Sequence, residues 1–219
     1  KLDPAVFGPA AVPPSTDPPS SLRANLQKAS ALLKEAGWTY RDGALRNARG
    51  EPFVFEIMDE SGSFGRVIAP LQRNLTRLGI QLNYRQMDRA LYQKRQDNFE
   101  FDMISTRFGD TETPGVELVD RFGSKSADIT GSSNLWGIKD PAIDQLLSRI
   151  VAVRSREQLE TAVRALDRVF MHGHYVIPHW YSGTHRVAYW NRFGFPDKMP
   201  LYYQADAWFV SSAWELKKK

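Results

Sequence analysis

The feature that most constrains the fold is an alternation of strand-like and helix-like segments between residues 52 and 106. The expected strands cover residues 52–58, 80–86 and 101–106, and the expected helices cover residues 64–78 and 89–97. Strands that alternate with helices at this spacing are typical of a parallel sheet with right-handed crossover connections. The chain is therefore predicted to be an α/β protein with a mixed, largely parallel sheet flanked by helices.

The segments on either side have simpler patterns. Residues 4–20 contain six prolines and are predicted to be an extended linker. A helix is expected over residues 21–36, because its apolar residues recur at helical spacing and Gly37 follows. Residues 38–50 are predicted to form a hairpin around Asp42 and Gly43.

Ser63 is predicted to cap the helix over residues 64–78. Two more helices are expected over residues 140–151, with Pro141 in the first turn, and over residues 155–171. Residues 175–181 and 186–190 are candidate strands.

Composition narrows the class of protein. Hydrophobic residues make up 42% and charged residues 25% of the 219 residues, as in ordinary globular domains. The net charge is +4 and the one basic run is residues 217–219, so no nucleic-acid partner is predicted. The chain has no cysteine, which excludes disulfides and thiolate metal sites and fits an oxidising compartment.

Enzyme chemistry is the less favoured interpretation. His172, His174, His179 and His185 lie close in sequence, but they form no metal-binding motif, so no metal or other cofactor is predicted. The chain has no G-x-S-x-G nucleophile motif and no phosphate-binding glycine loop. A hydrolase using the histidines or paired carboxylates, such as those of residues 59–60, stays as an alternative.

The loop after the third predicted strand is the first candidate for a binding site. In parallel sheets, ligands bind outside the carboxyl ends of the strands. Arg107, Phe108 and Asp110 lie in this loop and offer an aromatic ring and a fixed negative charge.

Several segments, in their order and spacing, resemble the peptide/nickel family of extracellular solute-binding proteins. They are KASALLKEAG (28–37), PLQRNLTRLGI (70–80), residues 88–92, FEFDM (99–103), GIKDPAIDQLL (137–147) and PHW (178–180). Together they cover most of residues 20–190. The strings PFVFEI, RNLTRLGI, NLWGIKDP and HGHYVIPHW look most like the periplasmic proteins that serve Yej-type peptide importers, which also handle microcin C.

The resemblance implies a protein with two lobes of the periplasmic-binding type (type II, cluster C). Residues 1–20 would be the linker, residues 21–182 most of the second lobe, and residues 183–219 a segment returning to the first lobe. The bulk of the first lobe has no counterpart in this chain. The resemblance also implies secretion to the periplasm, with any leader already removed from this chain.

The same resemblance assigns roles to individual residues. Asp110, just after the aromatic Phe108, would hold the α-ammonium group of a bound peptide. Asn134 and Trp136 match the segment that leads into the family's G-x-x-D-P helix, and Trp180 matches an aromatic residue of a late strand near the ligand. All three are predicted to bind the substrate. The expected function is capture of a peptide or peptide-like solute and its delivery to the permease of an ABC importer. An oligosaccharide, an opine or a metal chelate stays open as the ligand.

Overall fold

The computed structural model describes residues 2–106, 113–184, 186–198 and 205–216. They belong to two compact units, Lys1–Val176 and Ile177–Lys219. The first unit contains a parallel sheet and a helical core, and the second contains a cluster of aromatic side chains. No helix among the described residues is long and apolar enough to cross a lipid bilayer.

The N-terminal part of the first unit forms as predicted. Helix α1 spans Leu22–Glu35, and the Ser21 hydroxyl caps it by accepting a hydrogen bond from the Ala24 N–H at 3.1 Å. Strands β1 (Thr39–Arg41) and β2 (Ala44–Arg46) form an antiparallel hairpin. Asp42 and Gly43 have φ angles of 51° and 78°, which is the left-handed turn geometry that joins hairpin strands most tightly.

The hairpin is attached to the rest of the unit at Gly79. The Leu45 N–H donates to the Gly79 carbonyl at 2.8 Å, and the Phe53 N–H donates to the Leu45 carbonyl at 2.8 Å. Gly79 has a φ of +77°, and a Cβ atom there would lie 2.6 Å from the Leu45 nitrogen. Only glycine permits this close approach without displacing the backbone.

The predicted parallel sheet is confirmed. Strand β3 (Val54–Asp59) lies between β4 (Gln81–Gln86) and β5 (Met103–Ile104), and both pairings are parallel. In register, Ile57 lies opposite Tyr84 on one side and Met103 on the other. The third strand is shorter than predicted.

Helices cover both faces of this sheet. Helix α2 (Gly65–Thr76) packs Ile68 against Ile57 and Leu82. Helix α3 (Arg89–Asp97), capped by Asp88, packs Tyr92 against Met58 on the opposite face. The alternation along β3 explains this arrangement, because successive side chains of a strand point to opposite faces.

The prediction that Ser63 caps α2 is wrong. The residue at the N-cap position is Phe64, which makes no side-chain capping bond. The Ser63 hydroxyl instead lies 2.7 Å from the Ser61 hydroxyl, because the loop turns at Gly62 before the helix begins.

The second half of the first unit is helical. Helices α4 (Glu117–Phe122), α5 (Pro141–Ala152) and α6 (Arg156–His172) share one apolar core. The two longer helices were predicted and are confirmed, with Asp140 and Ser155 as their N-caps. The buried residues of this core are Val6, Leu118, Ile138, Ile143, Leu147, Ile150, Leu159, Leu166 and Val169.

Part of the predicted linker is ordered. Pro4–Phe7 form a 3-10 helix, and Val6 is buried in the helical core. The Arg168 guanidinium of α6 donates to the carbonyls of Val6 and Gly8. Proline content predicts a lack of regular helix and sheet, but it cannot exclude the burial of one apolar side chain.

The second unit contains β6 (Phe193–Gly194), α7 (Ala205–Ser212) and β7 (Trp214–Glu215), and its two strands pair antiparallel. The predictions of strands over residues 175–181 and 186–190 are wrong for the described residues, which form neither helix nor strand there. A β-favouring composition makes a strand only where a neighbouring strand accepts its backbone hydrogen bonds.

Candidate functional site

The carboxyl ends of β3, β4 and β5 lie at one edge of the parallel sheet. The loop over residues 60–64 follows β3, and residues 87–88 connect β4 to α3. The loop that contains Arg107, Phe108 and Asp110 follows β5, but these three residues lie outside the described part of the chain. This edge is the position at which parallel sheets bind ligands.

Asp59 ends β3 and is only 8% exposed. Its carboxylate accepts a hydrogen bond from the Tyr84 hydroxyl of the neighbouring strand and another from the Ser61 N–H at 3.4 Å. Burial by itself raises the pKa of Asp59, but hydrogen bonds from Tyr84 and from three backbone N–H groups outweigh burial and hold the pKa below its usual value. Asp59 is therefore a charged anchor of the loop that follows it.

Tyr84 is the partner of this anchor. Burial, the hydrogen bond to Asp59 and the charge of Asp59 together raise the pKa of its phenol to about 12. The neutral phenol is favoured because ionisation would place a second negative charge beside the carboxylate.

This pKa can be measured directly. We expect the Tyr84 phenol to titrate near pH 12 in the native protein, above the tyrosine reference value of about 10. Because the folded-state pKa is the higher one, this contribution to stability is complete below about pH 10 and is lost as the pH rises towards about 12. NMR of protein labelled at the tyrosine ζ-carbon measures it, with Tyr84→Phe as assignment control. Asp59→Asn should lower the value, and a Tyr84 resonance that titrates near pH 10 in wild type would contradict the interaction.

The exposed groups of the 60–64 loop are polar. Glu60 lies 4.0 Å from the Arg89 Nε, and Ser61 and Ser63 are exposed. Gly62 lies against Gln86 of β4, because a Cβ atom at this glycine would be 2.5 Å from the Gln86 Oε1. This edge can offer hydrogen bonds to a polar solute.

Asn134 was predicted to contact the ligand, and the structure argues against that role. Asn134 is 0% exposed. Its Nδ2 donates to the carbonyls of Gly123 at 3.0 Å and Ile138 at 3.1 Å, and its Oδ1 accepts from the Ile138 N–H at 3.0 Å. Asn134 joins the segment before α5 to the end of α4, and so it belongs to the scaffold.

Trp136 lies two residues further along the chain, in an aromatic cluster. Its ring centroid is 5.3 Å from that of Phe122 and 5.6 Å from that of Phe170, whose ring also contacts Tyr175. The ring is partly buried at the margin of the helical core. Its predicted contact with a ligand stays a prediction.

Trp180 belongs to the second unit and is 67% exposed. Its ring centroid lies 5.3 Å from that of His179. A role in ligand binding for Trp180 also stays a prediction, as it does for Arg107, Phe108 and Asp110.

The histidines show a simple local pattern. The Nδ1 atom of His172 is 2.8 Å from the Arg168 carbonyl oxygen at the end of α6. Within the described ranges, no three His, Cys, Asp or Glu side chains are placed to hold a metal ion.

A groove of about 320 Å³ lies beside His172, between α6 and residues 10–11. None of its lining residues comes from the carboxyl edge of the sheet.

The Asp59–Tyr84 pair was not predicted from the sequence. The sequence indicates only a carboxylate pair at residues 59–60 and a strand over residues 80–86. A charged residue directly after a buried apolar run was the available signal, because burial of a carboxylate requires hydrogen-bond partners.

Solved structures share this architecture. The oligopeptide-binding protein AppA of Bacillus subtilis, solved with a nonapeptide, superimposes with a TM-score of 0.61 at 21% identity, over 75% of this chain and 33% of its own. An oligopeptide-binding protein of Thermotoga maritima with bound mannohexaose gives 0.62 at 20% identity, over 72% and 31%. The fold is therefore that of periplasmic solute-binding proteins, as predicted.

The chain belongs to the bacterial extracellular solute-binding proteins, family 5, whose middle-region model matches residues 4–129. A protein of Brucella melitensis, described as a putative binding protein, is 40% identical over 201 residues, 91% of this chain and 33% of its own length.

Two relatives come from Agrobacterium fabrum. The "Probable peptide-binding protein YejA" is 36% identical over 216 residues, 97% of this chain and 35% of its own. The "Peptidoglycan-binding protein YepA" is 36% identical over 188 residues, 86% and 31%. The predicted resemblance to the Yej-type proteins is confirmed. The chain spans about a third of the length of these relatives.

Proposed function

We propose that the protein containing this chain captures peptides or peptide-like solutes in the periplasm and delivers them to an ABC importer. The observation that carries this proposal is the 36% identity, over 97% of the chain, to a relative named as peptide-binding. Residues 21–182 would form most of the second lobe, and residues 183–219 would return to the first. The partners are then the ligand, the first lobe of the same protein and the permease subunits.

The carboxyl edge of the sheet would form one wall of the binding cleft. Proteins that accept many peptide sequences bind the main chain and the ends of the peptide, and leave side chains in roomy, hydrated pockets. Ser61 and Ser63 are exposed, and their hydroxyls are suited to binding the main chain of a peptide. Asp110 would hold the α-ammonium group. Closure of the lobes would follow from the tighter binding of the ligand by the closed state.

Binding without chemical turnover is part of the proposal. The hydrolase alternative requires a carboxylate or histidine free to act on a substrate. The Asp59 carboxylate instead accepts hydrogen bonds from the Tyr84 hydroxyl and from backbone N–H groups. His172 is hydrogen-bonded at a helix end.

The test is identification of the natural ligand, followed by calorimetry. We expect mass spectrometry of the full-length protein, purified from the periplasm, to reveal co-purifying peptides. Free-amine peptides should bind at least tenfold more tightly than their N-acetylated forms, because acetylation removes the charge that Asp110 would meet. Equal binding of both forms would contradict the role proposed for the ammonium group.

A peptidoglycan fragment is the second candidate ligand. The relative named as peptidoglycan-binding, 36% identical over 86% of this chain, favours it. In intact peptidoglycan the stem peptide is linked through its N-terminal amino group to the sugar, so its N-terminus carries no ammonium group. Preference for sugar-linked over free stem peptides in the same calorimetry would support this candidate over free-amine peptides.

A further inference from the structure

Two residues of β4 hold the loop over residues 60–64 in place. Tyr84 and Gln86 are two positions apart on the strand, so their side chains point to the same face. The Tyr84 hydroxyl donates to Asp59, immediately before the loop. The Gln86 side chain lies against Gly62 in the middle of the loop.

The ring of Tyr84 also supports the end of the loop. A Cβ atom at Gly65, the first residue of α2, would lie 3.3 Å from the Tyr84 Cε1. Tyr84 thus contacts the loop's beginning through its hydroxyl and the loop's end through its ring. Asp59 also accepts a hydrogen bond from the Ser61 N–H at 3.4 Å.

The loop exposes polar groups while its base is buried. Asp59 is 8% exposed, whereas Ser61 and Ser63 are exposed. The two serine hydroxyls are 2.7 Å apart, and the Ser63 N–H donates to the Ser61 hydroxyl at 3.3 Å. One hydroxyl hydrogen is used between the two serines, so one O–H remains to donate outward. A carbonyl or carboxylate oxygen of a solute would suit that donor.

We propose that Asp59 and Tyr84 are positioning residues, which hold the 60–64 loop in the shape that presents its hydroxyls to the bound solute. This inference rests on the proposed function, because it assumes that the carboxyl edge faces the ligand. It assigns the pair no direct contact with the ligand. The pair restricts the conformations of the loop before the ligand binds. Binding therefore loses less conformational entropy.

The test compares Tyr84→Phe with Tyr40→Phe in the full-length protein. Tyr84→Phe removes only the hydroxyl that reaches Asp59, and Tyr40 is a hairpin residue whose side chain is 61% exposed. Without ligand, we expect backbone amides of residues 60–65 to exchange about tenfold faster in Tyr84→Phe, since a hydrogen bond to a charged group has been lost. Amides of β3 should be unchanged, and so should all amides of Tyr40→Phe.

Binding supplies the second measurement. Calorimetry with the co-purified peptide should show about tenfold weaker binding by Tyr84→Phe and no change for Tyr40→Phe. Ser61→Ala should weaken binding in wild type but have little further effect in Tyr84→Phe, since both act through one loop.

The outcomes separate the two proposals. Unchanged exchange in the loop overturns the positioning role, and so does faster exchange with undiminished affinity. Faster exchange in β3 as well as in the loop would also overturn it, because the bond would then support the sheet as a whole. If wild type binds no peptide, the proposed function fails, and the exchange measurement still decides whether the pair holds the loop.

Discussion

Asp110→Asn should weaken the binding of free-amine peptides by roughly two to four decades in the full-length protein. A carboxylate in a closed cleft is costly to desolvate unless a cation meets it, and the peptide's α-ammonium would be that cation. Asparagine keeps the shape of the side chain and removes its charge. Calorimetry measures the loss, and the fold should be unaffected because the residue follows a strand in a predicted loop.

A cycle of four measurements makes the test specific. Free-amine and N-acetylated peptides are each titrated into wild type and Asp110→Asn. Acetylation should cost wild type far more than the variant, because both changes remove the same ion pair. Asp42→Asn is the matched control, since Asp42 lies in the exposed hairpin turn, where asparagine also accepts a positive φ. If Asp110→Asn binds free-amine peptides as well as wild type does, a neutral or sugar-like ligand becomes the better hypothesis.

Asn134→Ala should lower the free energy of unfolding by about 3 kcal/mol. The substitution leaves the Ile138 carbonyl and the Ile138 N–H without their Asn134 partner, whereas the Gly123 carbonyl still accepts from the N–H and the hydroxyl of Ser126. Each buried group without a partner costs about 1–3 kcal/mol, although some will find water. Urea unfolding followed by tryptophan fluorescence measures the loss.

The control for this variant is Asn83→Ala, at an exposed position of β4. It should change stability by less than about 0.5 kcal/mol. At temperatures where Asn134→Ala stays folded, its affinity for peptides should equal that of wild type. Weakened binding without loss of stability would restore the ligand contact that the sequence predicted for Asn134.

The elements that form from neighbouring residues were predictable. The Asp42–Gly43 turn, the Asp88 and Asp140 caps and the apolar periodicity of α6 each depend on residues within a few positions of one another. The parallel sheet could also be predicted, because alternation of strands and helices restricts the possible topologies. The family motifs extended the prediction to the fold class.

Features that depend on distant partners were not predictable. Asp59 and Tyr84 are 25 positions apart, and nothing local indicates that a hydroxyl on one strand meets a carboxylate on another. Asn134 resembled a binding residue because it lies in a family motif, yet its amide bonds to the segment before it and the residues after it. Nothing in the proline-rich segment distinguishes Val6 from its exposed neighbours. Val6 is buried because it packs against a core that includes α6, which lies far along the chain.

The position of Val6 has a consequence for the order of events during synthesis. The carbonyl of Val6 is bound by Arg168, which lies 162 positions later in the chain. Residues 54–104 contain the three strands of the parallel sheet in the described part of the chain, and these strands can pair while α6 is still unmade. Val6 can reach its contacts with α6 only after the ribosome has released that helix. The contact between Val6 and α6 therefore joins two parts of the unit that are synthesised at different times, one before the sheet and one after it.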